Sequence, residues 1–369
     1  MNKEQVLEEV SRNGNKVRDI SVELKRDPDI AMAAVTNNGN ALQFLNDFKD
    51  NEDIVMAAVN QNGMALQLAS NRLKDNEAIV MAAVSKNGDS LRYVSDRLKH
   101  NYKVAEEAVS QHGDALQYLP IALKNDHKIA MTAVSQKGSA YKYVPYPLNE
   151  ERDIVLAAVS QDGHVIRRLP DKFKTDMEVA MTAVRQNGNA IMYLHELKSN
   201  KEVAMAAVSQ NGNAISSVSR DLKDDEDVVR AAIANNPMAL IYSSLKSDRK
   251  FVMEQVEQDG NTLHYASTEL RKDPELLWTA TQNGYQPYVD EVPIIHSHQA
   301  TRRKQLVPFL TAAKPTYSDA MTEPHALKGL NKHGTHFGQQ FRKTIASFVG
   351  APGKTGGRKT RRKLKRVFA

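Results

Sequence analysis

The residues closest to a ligand-binding pattern lie near the C-terminal end of this 369-residue chain. Gly350-Ala-Pro-Gly353-Lys354-Thr355 resembles the closing half of a phosphate loop, where backbone N–H groups cradle phosphates and a Lys neutralises them. The complete G-x-x-x-x-G-K-[ST] spacing needs glycine at position 348, which is Phe348. No strand pattern precedes the segment and no packed helix pattern follows it, so nucleotide binding is not expected. Five of the eleven histidines (His296, His298, His325, His333 and His336) share one Pro-containing stretch. Their His-x-His and His-x-x-His spacings are not a zinc signature, and no metal is expected. The absence of cysteine removes disulfides, thiol catalysis and Cys-type zinc sites, and suits a reducing compartment. No Ser-His-Asp arrangement or carboxylate pair stands out. The sequence therefore reads as non-enzymatic and without a cofactor.

The stronger chemical signal is charge. Arg358, Lys359, Arg361, Arg362, Lys363, Lys365 and Arg366 place seven basic residues within nine, after a Gly/Pro spacer. Such an arm suits an importin, nucleic acid or acidic lipid. Before it, Phe337, Phe341, Ile345 and Phe348 recur at helical steps with Arg342 and Lys343 between them. That pattern predicts a short basic amphipathic helix over 336–349. Residues 291–369 hold 16 Lys/Arg and 3 Asp/Glu; the preceding residues hold 34 basic and 41 acidic ones, a net charge of −7. An acidic body carries a basic tail.

That body is a tandem array. Glycines at 14, 39, 63, 88, 113, 138, 163, 188, 212, 260 and 284, with Pro237 in the one missing slot, mark twelve units of about 25 residues. Each unit reads as two helices. The first opens at an Asp/Asn column (Asp27, Asn51, Asn76, Asn101, Asp126, Asp176, Asn200, Asp225, Asp248, Asp273), broken only by Glu151. These are N-cap residues, whose side-chain oxygen accepts an orphan backbone N–H. The glycine is expected to end the helix in a left-handed turn, so the unit holding Pro237 is expected to turn differently. A second, shorter amphipathic helix runs to a Leu-Lys pair.

Columns inside the units indicate how they pack. Alanine is unbroken from Ala34 to Ala232 at one position, with Glu9, Gln255 and Thr279 at the ends, as expected of capping units facing water. Valine or isoleucine fills the next position. Seven methionines share one column, as core filling. A Gln column before the glycines is expected to pair with neighbouring backbone groups or water. A Lys column after the closing Leu is expected to be a solvated edge, charge-balanced by the adjacent caps. Ala-rich apolar runs favour helix over strand, which sets aside a leucine-rich-repeat reading. The fold class is all-α: an α-solenoid of helix-turn-helix repeats over 1–289. A linker (290–335), the amphipathic segment (336–349) and a polybasic tail (350–369) follow.

The pattern D-x-x-(I/V)-(V/A)-M-A-A-V-S-Q-N-G-x-A-L-x-Y-(V/L) resembles the tandem helical repeats catalogued as domain-of-unknown-function family 4116. Those repeats recur in effector-like proteins of intracellular bacteria and in proteins of large DNA viruses. The resemblance implies a helical repeat fold and no particular chemistry. The Gly-Gly-Arg-Lys-Thr-Arg-Arg-Lys ending is similar in composition to those of many large-virus proteins.

Units one to four are regular. Units five to seven depart at one place, where Pro120, Pro145 and Pro170 replace the Ser, Asn or His of other units. Tyr118, Tyr143, Tyr146, Arg167 and Arg168 lie close by in sequence, and aromatic and Arg side chains are the usual anchors of protein interfaces. The expected function is a protein-interaction scaffold, monomeric, with a basic targeting tail. A nucleic-acid-associated protein using the same tail is the alternative. No run of 18 apolar residues exists and the start is charged, so neither a membrane span nor a cleavable secretory signal is expected. The expected location is the cytoplasm or nucleus.

Overall fold

Each unit opens on a long helix, and the Asp/Asn column starts it. In the computed structural model, which describes residues 2–288 and 290–301, these helices are α1 (Lys3–Arg12), α2 (Pro28–Asn37), α3 (Glu52–Gln61), α4 (Glu77–Lys86), α5 (Tyr102–Gln111), α6 (His127–Gln136), α7 (Arg152–Gln161), α8 (Met177–Gln186), α9 (Lys201–Gln210), α10 (Glu226–Asn235), α11 (Arg249–Gln258) and α12 (Pro274–Gln282). Helix number and unit number coincide. The cap side chains accept as expected: Asn76 from Ile79 N, Asp126 from Ile129 N, Asp273 from Glu275 and Leu276 N. Asn2 and Gln5 form a reciprocal capping box at the first helix. Glu151 is longer by one methylene and makes no capping bond.

The glycine turn differs from the expectation. The residue before it, such as Asn62 at φ −145° and ψ 108°, is extended, and its side chain accepts from the N–H two residues on. The glycine then opens a six-residue 3-10 helix, as in Gly63–Leu68, without positive φ. Among the described glycines only Gly284 is left-handed, at φ 99°. There the Tyr285 N–H reaches back to the Ala280 carbonyl at 3.0 Å, which closes the last helix of the array. At the other glycines the requirement is close approach. A Cβ on Gly138 would overlap the carbonyl oxygen of Ala158 in the next unit, and one on Gly188 would overlap that of Ala207. The invariant Ala and Gly are two halves of one contact between units.

Pro237 therefore does not change the turn. It opens the 3-10 helix Pro237–Tyr242, behind an Asn236 cap at φ −148° like the rest, because the first helical position needs no N–H and suits its fixed φ. What changes is the packing beyond it. α10 and α11 approach less closely than any other consecutive pair of long helices.

The second helix of each unit is two short pieces rather than one. After the six-residue 3-10 helix comes a four-residue turn of α-helix, as in Asp96–Lys99, or a three-residue 3-10 turn, as in Leu73–Asp75. In a 3-10 helix positions i and i+3 eclipse. Gly88 and Leu91 accordingly share the buried side, while Arg92 is exposed.

The core is a continuous layer between successive units. The Ala and Val/Ile columns are buried throughout the middle of the array, and six of the seven methionines are half-buried against it. Two end positions need correction. Gln255 does not face water: it is 5% exposed, with a buried Nε2 that has no partner. In the last unit the residue whose carbonyl meets the preceding glycine is Ala280, not Thr279, so the column continues one residue later than the sequence reading set it. Glu9, at the other end, is exposed as expected.

The array lies in a compact unit, Met1–Ile295. Residues 292–301, expected as linker, are helical, with Pro293 near the helix start where its ring fits. The remainder of the expected linker, the 336–349 segment and the polybasic tail lie outside the described residues.

Candidate interaction surface

Most polar columns are used in holding one unit to the next. In unit after unit the glycine N–H donates to the Gln or Asn side chain that ends the following long helix: Gly39 to Gln61 at 2.7 Å, Gly138 to Gln161 at 2.6 Å, Gly188 to Gln210 at 2.6 Å, Gly212 to Asn235 at 2.8 Å. The same amide donates back to the previous helix end, as from Gln186 Nε2 to Gln161 O at 3.1 Å. The Gln ladder is occupied by neighbouring backbone, as the sequence reading favoured.

A second ladder joins each cap to the 3-10 helix before it. Asn62 donates to Asn40, Asn211 to Asn189 and Asn236 to Asn213, at 3.0 to 3.1 Å. Where the acceptor becomes Asp89 or Asp114, the partner becomes His112 (2.8 Å) or Lys137. The change of acceptor is matched by a change of donor across the junction, a pairing 23 residues apart that inspection of single columns misses.

Cations at the first position of the long helices form a third link. Lys3, Arg152, Lys201 and Arg249 each bridge the N-cap and a following acid of the next unit, as Lys201 does with Asp225 (2.9 Å) and Asp227 (2.7 Å). Lys3 and Lys201 hold the Asp27 and Asp225 carboxyls below the usual range. His127 occupies the same register, 2.8 Å from Asp153 and 3.5 Å from Glu151. All three residues are exposed, and their arrangement is the one that Lys or Arg makes elsewhere.

The lysine column departs from its expected balance. Lys25, Lys49, Lys74, Lys99, Lys124, Lys174, Lys198, Lys223 and Lys246 are all half-buried. Lys99 and Lys174 pair within their own turns, and Lys25 and Lys246 donate to the carbonyls of Arg18 and Ile241. Among the described residues, Lys49, Lys74, Lys124, Lys198 and Lys223 find neither an ion-pair partner nor a side-chain hydrogen-bond partner. Burial, followed by the charge of Lys49, pushes the Lys74 ammonium down; burial does the same at Lys124.

The residues proposed for partner binding divide into two groups. Tyr118, Tyr143 and Arg168 end the 3-10 helices of units five, six and seven, so they fall in one column, with Arg167 beside Arg168. Tyr118 and Tyr143 are half-buried; the Tyr143 hydroxyl donates to Gln117 at 3.3 Å, and Lys142 lies 4.5 Å from its ring centroid. Arg167 and Arg168 are exposed. Tyr146 lies apart from this column, in the segment after Pro145, and is 74% exposed. Ile121 occupies the equivalent place after Pro120 and is 63% exposed. Sequence reasoning passed over Ile121; its signal was the register it shares with Tyr146. Tyr141, by contrast, is core: its hydroxyl donates to Asn149 O at 2.7 Å, and burial pushes its pKa up to about 12.

The prolines alter the junction itself. In four units a Ser N–H at this position straps the unit to the lysine carbonyl of the unit before: Ser70 to Lys49 (2.7 Å), Ser95 to Lys74 (3.0 Å), Ser219 to Lys198 (3.0 Å), Ser267 to Lys246 (2.8 Å). Ser244 donates to Asp224 instead, and among the described residues Asn46 and His195 make no such bond. Pro120 and Pro145 have no N–H to give, and among the described residues the Lys99 and Lys124 carbonyls receive no donor.

A shallow depression between α8 and α9, lined by Met181, Arg185, Glu202 and Met205, carries no set of groups suited to catalysis. No helix among the described residues is long and apolar enough to cross a membrane.

The family model described as Domain of unknown function (DUF4116) matches residues 2–49, 51–99, 101–149, 151–198, 176–223, 200–247, 225–271 and 248–286. No curated protein and no solved structure matches the chain.

Proposed function

We propose that this chain, which belongs to the DUF4116 family, is a non-enzymatic, monomeric interaction scaffold whose units five to seven hold a protein partner. The observation that supports this reading is local. Units five and six lack the strap, as units two, eight and ten also do, and the position directly after their Pro120 and Pro145 displays Ile121 and Tyr146 to solvent. Neither side chain is needed to build a repeat that other units build without it. Exposed large apolar side chains, with exposed Arg167 and Arg168 in the next unit, have the composition of an interface centre. The Arg358–Arg366 run would set where the complex sits, in cytoplasm or nucleus. Its compositional likeness to large-virus endings fits action inside a host cell.

The test is an affinity pull-down with the full chain and with a Tyr146→Ala/Arg167→Ala/Arg168→Ala variant. A partner captured by the first and lost from the second, with unchanged melting temperature, supports the reading. Equal loss of binding and stability would make these side chains structural. The second reading, nucleic-acid association through the tail, rests on the charge asymmetry between body and tail. It predicts retention on immobilised DNA that disappears when the seven tail cations become Gln.

A further inference from the structure

The lysine column runs in register past the Pro120 and Pro145 junctions, which have no strap. Lys49, Lys74, Lys99 and Lys124 lie in or directly after the corresponding turns of four consecutive units. The Ser70 and Ser95 straps fix the Lys49 and Lys74 backbones to the units that follow. Three of the four ammoniums have no counter-ion among the described residues, although packing half-buries each side chain. Acids that could neutralise them are engaged elsewhere: Asp50 and Asp75 are held by Arg72 and Arg97 at 3.0 Å, and by Ser70 and Ser95. At the next two steps the Lys99 and Lys124 carbonyls lack donors among the described residues. The edge thus offers a row of cations, then two unfilled backbone acceptors, beside the exposed Ile121 and Tyr146.

We propose that this edge, Lys49–Lys74–Lys99–Lys124, binds an extended acidic peptide segment of the partner. Packed helices repeat about every 8–10 Å, and a chain extended as polyproline II advances about 3.1 Å per residue with three residues per turn, so every third side chain of the peptide faces the row and meets one lysine. Its carboxylates neutralise the ammoniums, and its main-chain N–H groups replace the donors that Pro120 and Pro145 removed. The second feature separates a peptide from a nucleic acid strand, whose backbone presents no N–H. Ring faces point the same way: Arg92 lies 4.8 Å from the Tyr93 centroid and Lys142 4.5 Å from that of Tyr143, so one face of each half-buried ring is already covered by a cation. The inference deepens the scaffold reading by giving the partner's chemistry, and it rests on that reading.

The experiment uses the full-length chain with Arg358, Lys359, Arg361, Arg362, Lys363, Lys365 and Arg366 changed to Gln, so that the tail does not bind the probe. A fluorescein-labelled oligoglutamate peptide is titrated in, and an oligothymidylate of equal charge in parallel. Lys49→Gln/Lys74→Gln/Lys124→Gln, added to this background, should weaken the peptide by about tenfold, as expected for three partly exposed charge pairs. Melting temperature should hold, and added salt should weaken the parent more than the variant. A peptide that fails to bind, or binds the variant equally, overturns the proposal. So does tighter, lysine-dependent binding of the oligothymidylate. A failed pull-down with retained peptide binding would count against units five to seven as a partner site, not against the lysine row.

Discussion

The junction between units eight and nine and the junction between units ten and eleven differ in nearly every device that joins repeats. At the first, Gly188 lies against the Ala207 carbonyl and donates to Gln210, Asn211 donates to Asn189, and Ser219 straps Lys198. At the second, Pro237 has no N–H, Gln255 stands in the Ala column with its Nε2 unpaired, and Met238 cannot receive a side chain from Asp259. Only the strap from Ser267 to Lys246 remains. Arg230 compensates in part, lying 4.8 Å from the Phe251 centroid and pairing with Glu254 at 2.6 Å. Repeats of one family thus stay in register through several separable contacts, and a junction survives on a subset of them at the cost of looser packing.

The comparison can be broken at either junction. Gly188→Val should have the largest effect, about 3 kcal/mol, because the new side chain meets backbone that cannot step aside. Ala133→Leu in the middle of the column should cost about 1–3 kcal/mol for the same reason. Both are measured by urea unfolding, and a loss under 0.5 kcal/mol would remove close approach as the reason for the columns. Conversely, Pro237→Gly with Gln255→Ala should rebuild a standard junction and raise stability by about 1–2 kcal/mol, since a buried unpaired amide is removed. A stabilised double variant would also open more slowly at α11 by hydrogen exchange.

A subtler pair sharpens the same point. Gln186→Ala should cost about 1–2 kcal/mol, because the Gly163 N–H loses its acceptor at 2.7 Å. Gln258→Ala, facing a proline that has nothing to donate, should change stability by less than about 0.5 kcal/mol. Equal effects would show that the amide acts through something other than the glycine N–H.

The smallest expected effect concerns pH. Asp27 and Asp225 have carboxyl pKa values depressed by Lys3 and Lys201 in the folded chain. Their stabilisation is present above the unfolded carboxylate value, near pH 4, and is lost as pH falls through the depressed one. Both pairs are partly exposed, so the contribution is small and screened by salt. Lys3→Gln/Lys201→Gln should flatten the acid limb of the stability profile and leave the neutral plateau nearly unchanged.

Much of this architecture is legible in the letters. The period, the Asp/Asn caps and the Ala/Val core follow from local chemistry that repeats. The role of glycine was not legible, because a glycine after a helix looks the same whether φ or space demands it. That ambiguity misled the reading of Pro237, which suits the first turn of a 3-10 helix. The cap-to-acid exchanges at Asp89/His112 and Asp114/Lys137 were hidden because each partner sits in a different column. At the candidate site, Tyr118, Tyr143 and Arg168 do align, while Tyr146 belongs with Ile121. The lysine row was seen, but its lack of partners needed the packing of neighbouring turns.

The most direct test of the account is asparagine in place of glycine, read by thermal melting. Asn tolerates the left-handed region but carries a Cβ. If the array glycines serve close approach, Gly138→Asn should lower the melting temperature as much as Gly138→Ala, while at Gly284, where space is open and φ of 99° is the constraint, Asn should cost less than Ala. If Gly138→Asn melts like the parent chain, the glycine column is a left-handed turn after all and the junction described here is wrong.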